Sequence, residues 1–192
     1  NLQTISILSS WGEASKNAVK SIKYIVQKLE KKQSFSIISL HDFVIGAGEG
    51  RSEVLKSFES LNVPILKAIK VLDSTALSYK LSSQGLDKNS IHYRISMPEL
   101  QGIGQSHVVA INDLAKIDTI TGANTFELKL LDEQIKNLVK KAKKWMILSK
   151  KKNEDKKIAI IYYNHPPGRH NIGADNLNVP TTLFEMLKSL KK

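Results

Sequence analysis

The sequence predicts an α/β fold: a Rossmann-like parallel sheet flanked by helices, followed by a long helix and the first βα unit of a further domain. Three observations predict it. Over residues 1–123, β-rich runs alternate with amphipathic helical stretches, the pattern of a parallel sheet with helices on its faces. Residues 124–150 then repeat apolar side chains every three and four positions. Finally, Ile158-Ala-Ile-Ile-Tyr-Tyr163 reads as a buried strand entering a loop, with a helix opening near Pro180. The expected organisation is an α/β domain over 1–123, a long basic helix and linker over 124–156, and the truncated start of a second α/β unit over 157–192.

Each element has its own justification. Residues 4–9 alternate apolar and polar, as a strand does. Residues 13–32 place Ala18, Ile22, Ile25, Val26 and Leu29 at helical spacing. Residues 34–40 are β-rich. Residues 51–61 put Val54, Leu55, Phe58 and Leu61 on one helical face, and Asn62 ends that helix. Residues 63–69 read as a third strand, with Pro64 at its start, where a missing N–H does least harm. Residues 75–82 form a short helix. Residues 91–97 and 107–111 are weaker strand candidates. In the long helix, Leu128, Leu131, Ile135, Leu138, Val139, Ala142, Trp145 and Met146 make the apolar face, and lysines make most of the other.

The chain has 192 residues and a formal net charge of +11. Ten lysines lie between Lys136 and Lys157, so the excess has a place. A solvated helix face accounts for it. No aromatic side chains interleave with these lysines in the way a base-stacking platform requires, so nucleic acid is not an expected partner. Cysteine is absent, which excludes disulfides and thiolate metal sites and is compatible with a cytoplasmic location. No apolar run approaches the ~20 residues of a membrane span. The first residue is Asn1, and a helix runs into Lys192. The chain therefore reads as an internal piece of a longer protein.

Three loops hold candidate chemistry. His41-Asp-Phe-Val-Ile-Gly-Ala-Gly-Glu-Gly-Arg51 joins a strand to a helix, but Arg51 stands where a dinucleotide fingerprint needs its third glycine. Its glycines read as a flexible loop. In residues 97–107, Glu99 and His107 suit a proton-accepting pair or weak metal ligands. Local capping or pairing by Glu99 and a surface strand position for His107 are the alternative, and the plainer, reading. The third loop carries His165, Arg169 and His170. Imidazoles ligate metals, and a guanidinium grips carboxylates through a bidentate fork. Pro166 and Pro167 stiffen the loop, so a rigid structural turn is the alternative reading.

Three stretches resemble, in order, the large subunits of cobaltochelatase and magnesium chelatase. Val63-Pro-Ile-Leu-Lys-Ala-Ile69 is similar to a VP-hydrophobic-L-x-A strand. Ser96-Met-Pro-Glu-Leu-Gln-Gly102 is similar to an LPELDG loop. Ile161-Tyr-Tyr-Asn-His-Pro-Pro-Gly-Arg-His-Asn-Ile-Gly173, with Leu177-Asn-Val-Pro180, is similar to YYNYPPGKGNIG…LNVP. The resemblance implies an α/β subunit that binds a porphyrin or corrin. Cobalt, magnesium or iron tetrapyrrole is the implied substrate, and ATP acts through AAA+ type partner subunits. It implies an ATP-dependent, ligase-type metal chelatase as the parent. Removal of iron from haem, or a non-catalytic tetrapyrrole-binding or scaffold role, are the alternatives. The implied tetrapyrrole contacts are His165, Arg169, His170 and Asn171, with His165 and His170 as the metal-side candidates. The chain departs from the family pattern at Gln101, where an acidic residue is usual. It departs again at His165, in place of an aromatic, and at Arg169-His170, in place of a Lys-Gly pair. Residues 1–192 alone are too short to enclose a macrocycle and dock an ATPase, so no complete catalytic cycle is expected from them.

Overall fold

A computed structural model of the chain describes residues 2–29, 33–161, 163–164, 172–173 and 177–191. It divides into two compact units, residues 1–151 and 152–192. The first unit runs α1 (Lys16–Lys28), β1 (Ile37–Ser39), α2 (Gly50–Leu61), β2 (Ile65–Val71) and α3 (Ala76–Leu81). The chain then coils through α4 (Lys88–Ile91), a π-helical turn (His92–Ser96) and α5 (Met97–Glu99). It closes with β3 (Ile103–Ile117), β4 (Asn124–Leu130) and α6 (Asp132–Lys150). The second unit holds β5 (Tyr163–Asn164), β6 (Ile172–Gly173) and α7 (Val179–Leu190).

The sheet of the first unit has the order β1-β2-β3-β4. The first three strands are parallel, in a register that aligns Ile37, Ile65 and Ile103. β4 is antiparallel to β3, with Ala110 opposite Leu130 and Ile117 opposite Asn124. The expected α/β class is met in part: a mostly parallel sheet with helical layers. The sheet is not wholly parallel, and among the described residues no parallel βα unit follows it. Along β2 the side chains alternate between faces. Ile65 joins Val19, Ile45, Val54, Phe58 and Ile103 in one cluster beneath α1 and α2. Ile69 and Val71 join Ala76 and Ile111 in a second. Leu66 and Ala68 face the other way, against Val109, Ala110, Leu138 and Ala142 under α6. Both crossovers thus cover one face, as expected when successive parallel strands are added in one direction.

Several sequence expectations fit. Asn62 caps α2 in the left-handed conformation at φ 48°. Thr75 accepts a hydrogen bond from the Ser78 N–H at the start of α3. In α6, Leu138 and Ala142 are buried, Leu131 and Ile135 half-buried, and Lys140 and Lys144 exposed. Asn178 accepts from the Thr181 N–H to cap α7, which has Pro180 in its first turn.

Five local expectations are corrected. Residues 4–9 form no strand, and Ile5 and Leu8 are exposed. Alternation alone does not make a strand where no neighbour supplies ladder bonds. Residues 91–97 are helical, because Asp87 caps the preceding turn by accepting from the Asn89 and Ser90 N–H groups at 2.8 and 3.1 Å. Residues 97–107 are not one loop: they hold α5, a turn and the start of β3. The helix expected from residue 124 begins at Asp132. Residues 124–130 pair instead as β4 across a turn in which the Asp118 side chain accepts from the Ile120 and Thr121 N–H groups and Gly122 has φ 70°. These bonds hold the Asp118 carboxyl below its ordinary pKa, Thr121 contributing most. Residues 158–161 form no buried strand. Ile158 and Ile161 are exposed, and the ladder there is the two-residue antiparallel pair of β5 with β6.

Candidate functional site

Two segments far apart in sequence meet over the face of β2 that carries Ile65 and Ile69: the loop after β1 and the helical stretch from α4 to α5. Gln101 clamps them. Its buried side chain donates from Nε2 to the Ile45 carbonyl at 2.8 Å and accepts the Ile45 N–H on Oε1 at 2.8 Å. Ser15 completes the anchorage. Its Oγ accepts the Gly46 N–H at 2.7 Å and donates to the Gly12 carbonyl at 2.6 Å. Gly46 sits at φ +70°, and a Cβ there would lie 2.8 Å from the Gly50 carbonyl oxygen and from Val54 Cγ2. Gly46 therefore serves a tight inward fold of the loop. With the Ile45 and Gly46 amides engaged inside the protein, this loop cannot cradle a phosphate on them.

Beneath the loop lies Lys67, fully buried between Ile65 and Ile69 on the central strand. Its ammonium donates to the His41 carbonyl. Burial pushes its pKa down to about 8, against the attraction of Asp42 and with help from Lys70 and Arg94. Lys70 Nζ lies 3.4 Å from Asp42 Oδ2. The other Asp42 oxygen, Oδ1, is buried without a hydrogen-bond partner among the described residues. Arg94 donates to Ser90 Oγ at 3.4 Å, and Ser90 in turn donates to Asp73 Oδ2 at 2.9 Å. Hydrogen bonding from Ser90, and then with Asp73, holds the Asp87 carboxyl well below the usual range. Above this layer, the Phe43 and Tyr93 rings meet with centroids 5.4 Å apart, and His92 packs edge-on to Tyr93 at 4.9 Å. The Arg51 guanidinium carbon lies 5.8 Å from the centre of the Phe43 ring.

Of the candidates read from sequence, Glu99 ends α5 with its side chain exposed, and its Cγ lies 3.9 Å from where a Cβ on Gly104 would stand. His107 is on β3, half-buried, with Nδ1 2.7 Å from the Gln105 carbonyl. Because a carbonyl only accepts, Nδ1 carries a proton, and in the neutral ring Nε2 is the acceptor. No hydrogen bond joins Glu99 to His107 among the described residues. His165, Arg169, His170 and Asn171 lie outside the described residues. No group of three or more His, Asp or Glu side chains that could hold a metal occurs among the described residues. No described helix is long and apolar enough to cross a membrane. Beside α7, an open cleft of about 700 Å³ is lined by Ile158, Leu177, Thr181, Met186 and Leu190, among others.

Reading by sequence missed Lys67, Asp42 and the Phe43–Tyr93 pair. One signal was available: a lysine inside the apolar run Ile65-Leu-Lys-Ala-Ile69. A charge at a buried strand position needs a specific partner.

Comparison with known proteins bears on what this site serves. The chain is 28% identical over 175 residues to the chloroplastic magnesium-chelatase subunit ChlH of Oryza sativa subsp. indica, covering 88% of this chain and 12% of that protein. It is 28% identical over 179 residues to an uncharacterized protein of Methanocaldococcus jannaschii, covering 91% of this chain and 14% of the relative. To the aerobic cobaltochelatase subunit CobN of Pseudomonas aeruginosa it is 26% identical over 132 residues, covering 68% and 10%. The chain thus spans about an eighth of the length of the curated relatives it matches. No solved structure matches it. The family model for CobN/Magnesium Chelatase matches residues 1–192. Since that match takes in every residue, Gln101 and the loop after β1 included, the chain belongs to the CobN/Magnesium Chelatase family.

Proposed function

We propose that the whole protein containing this chain binds a tetrapyrrole in the cytoplasm and inserts a cobalt or magnesium ion, driven by AAA+ type ATPase partner subunits. The observation that carries this reading is the family match across residues 1–192. Relatives named as magnesium-chelatase and cobaltochelatase subunits support it. Inserting a divalent ion into a free-base macrocycle releases two pyrrole protons, so the reaction needs proton acceptors near neutrality. Glu99 and His107 offer a carboxylate and an imidazole of the suitable kind, and in the neutral His107 ring Nε2 is the acceptor. His165, Arg169, His170 and Asn171 are the proposed ligand contacts. Arg169 would grip a macrocycle carboxylate, and the two imidazoles would face the metal.

A second reading is removal of iron from haem. Its motive is the pair of imidazoles, His165 and His170, at positions where the family pattern this segment resembles has an aromatic and a glycine. One assay separates these readings. The whole protein, with its ATPase partners and ATP, is offered protoporphyrin with magnesium, a hydrogenobyrinate-type corrin with cobalt, and haem. Metal insertion into either free macrocycle supports the leading reading. Iron release from haem alone supports the second. Binding without any metal exchange refutes both and leaves a carrier or scaffold.

A further inference from the structure

We propose that Phe43, His92 and Tyr93, together with Arg51 and Arg94, form a contact surface for a flat conjugated ring that bears carboxylates. This rests on the tetrapyrrole reading above and places a second set of ligand contacts within the first unit, separate from residues 165–171. The five side chains come from two segments that only the fold unites, through the Gln101–Ile45 clamp. Tyr93 is half-exposed at 49%, His92 is exposed, and Phe43 is part-covered by its neighbours. Aromatic surface is thus left in water although it already forms a contiguous ring cluster. Neither Arg51 nor Arg94 has a carboxylate partner among the described residues, while Arg51 already stands against a ring face. A guanidinium without a carboxylate, next to a ring, suits a ligand that supplies both.

Charge and backbone point the same way. Lys67 and Lys70 share the Asp42 carboxylate, and the Arg94 charge also acts on Lys67, so this part of the unit is cationic. His92, Tyr93 and Arg94 lie on a π-helical turn, a wide and rare geometry that occurs preferentially at functional sites. A single-stranded nucleic acid also offers rings and anions, but it needs stacking groups along a cationic track. The lysine-rich helix α6 packs on the opposite face of the sheet, so its lysines do not adjoin these rings.

The test titrates the whole protein with deuteroporphyrin IX and with its dimethyl ester, in the same detergent, following the Soret band. The ester keeps the ring and lacks the carboxylates. Arg51→Gln with Arg94→Gln should weaken binding of the diacid roughly ten- to a hundred-fold and leave the ester unchanged. Tyr93→Ser, at a half-exposed position that tolerates change, should weaken both ligands. Lys140→Gln, on the far face, should alter neither. Thermal melting confirms the fold of each variant. If the wild type binds porphyrin and every variant binds it as tightly, this surface is wrong while the tetrapyrrole reading stands. If the wild type binds neither porphyrin, both fall. Arginine-dependent binding of a single-stranded oligonucleotide in place of porphyrin also overturns the proposal.

Discussion

Lys67 puts an ammonium in the middle of a central strand, between core clusters that are otherwise apolar. It is held there by the His41 carbonyl and by the nearby Asp42 carboxylate. The folded-state pKa is lowered from 10.5 to about 8. Below pH 8 the lysine is charged in both states and the cost of burying the charge is fully present. Between about 8 and 10.5 the unfolded chain binds a proton that the folded chain does not, so stability rises with pH. The gain is roughly 3 kcal/mol at full titration. Denaturant unfolding of wild type and Lys67→Met from pH 7 to 10.5 should show wild type gaining on the variant across that window. A constant difference would refute the depressed pKa. Gln101 makes a different demand. Its amide donates to the Ile45 carbonyl and accepts the Ile45 N–H at once. In Gln101→Glu, an ionised carboxylate on a side chain of the same length has nothing to donate. The substitution should cost about 1–3 kcal/mol in urea unfolding. Unchanged stability would show that the clamp is dispensable here.

At the scale of elements, α6 shows a helix whose apolar stripe is legible in the sequence and whose start is not. Leu138 and Ala142 face Leu66, Ala68, Val109 and Ala110, while Lys136, Lys140 and Lys144 face water. Leu138→Asp should lower stability by roughly 3 kcal/mol or more, since it sets an unpaired carboxylate in that stripe. Lys140→Asp should change it by no more than about 0.5 kcal/mol. Equal effects in thermal melts would refute the packing. Residues 124–130 fit two periods at once. Leu128 continues the helical series to Leu131 and Ile135, while Phe126, Leu128 and Leu130 alternate as a strand does. The Asp118 turn and the partner strand β3 settle the contest for the strand. All seven residues of β4 are exposed, so burial on one face is not what selects it. Residues 91–97 present the opposite case. Ile91, Tyr93, Ile95 and Met97 alternate, yet the Asp87 cap starts a helix that carries through them.

For the whole molecule, residues 165–171 are the remaining proposed ligand contact. Replacing His165, Arg169 and His170 together with alanine in the whole protein should weaken porphyrin binding roughly ten- to a hundred-fold with the circular dichroism unchanged. Binding as tight as wild type would remove these residues from the ligand contacts. Much of the molecule is written in local pattern. The family resemblance rests on contiguous motifs, and the face of α6 and the caps at Asn62 and Thr75 follow from residue type and short spacing. The parallel core of the sheet follows from the alternation of strands and helices. The site over β2 could not be read in this way. Lys67 reaches a carbonyl 26 positions away, and Gln101 grips a peptide 56 positions away. Phe43 meets Tyr93 across an intervening strand and several helical segments. Periodicity reports which face of an element is apolar. It holds no information on which distant polar group completes a buried charge, and that pairing exists only once the sheet has set its register.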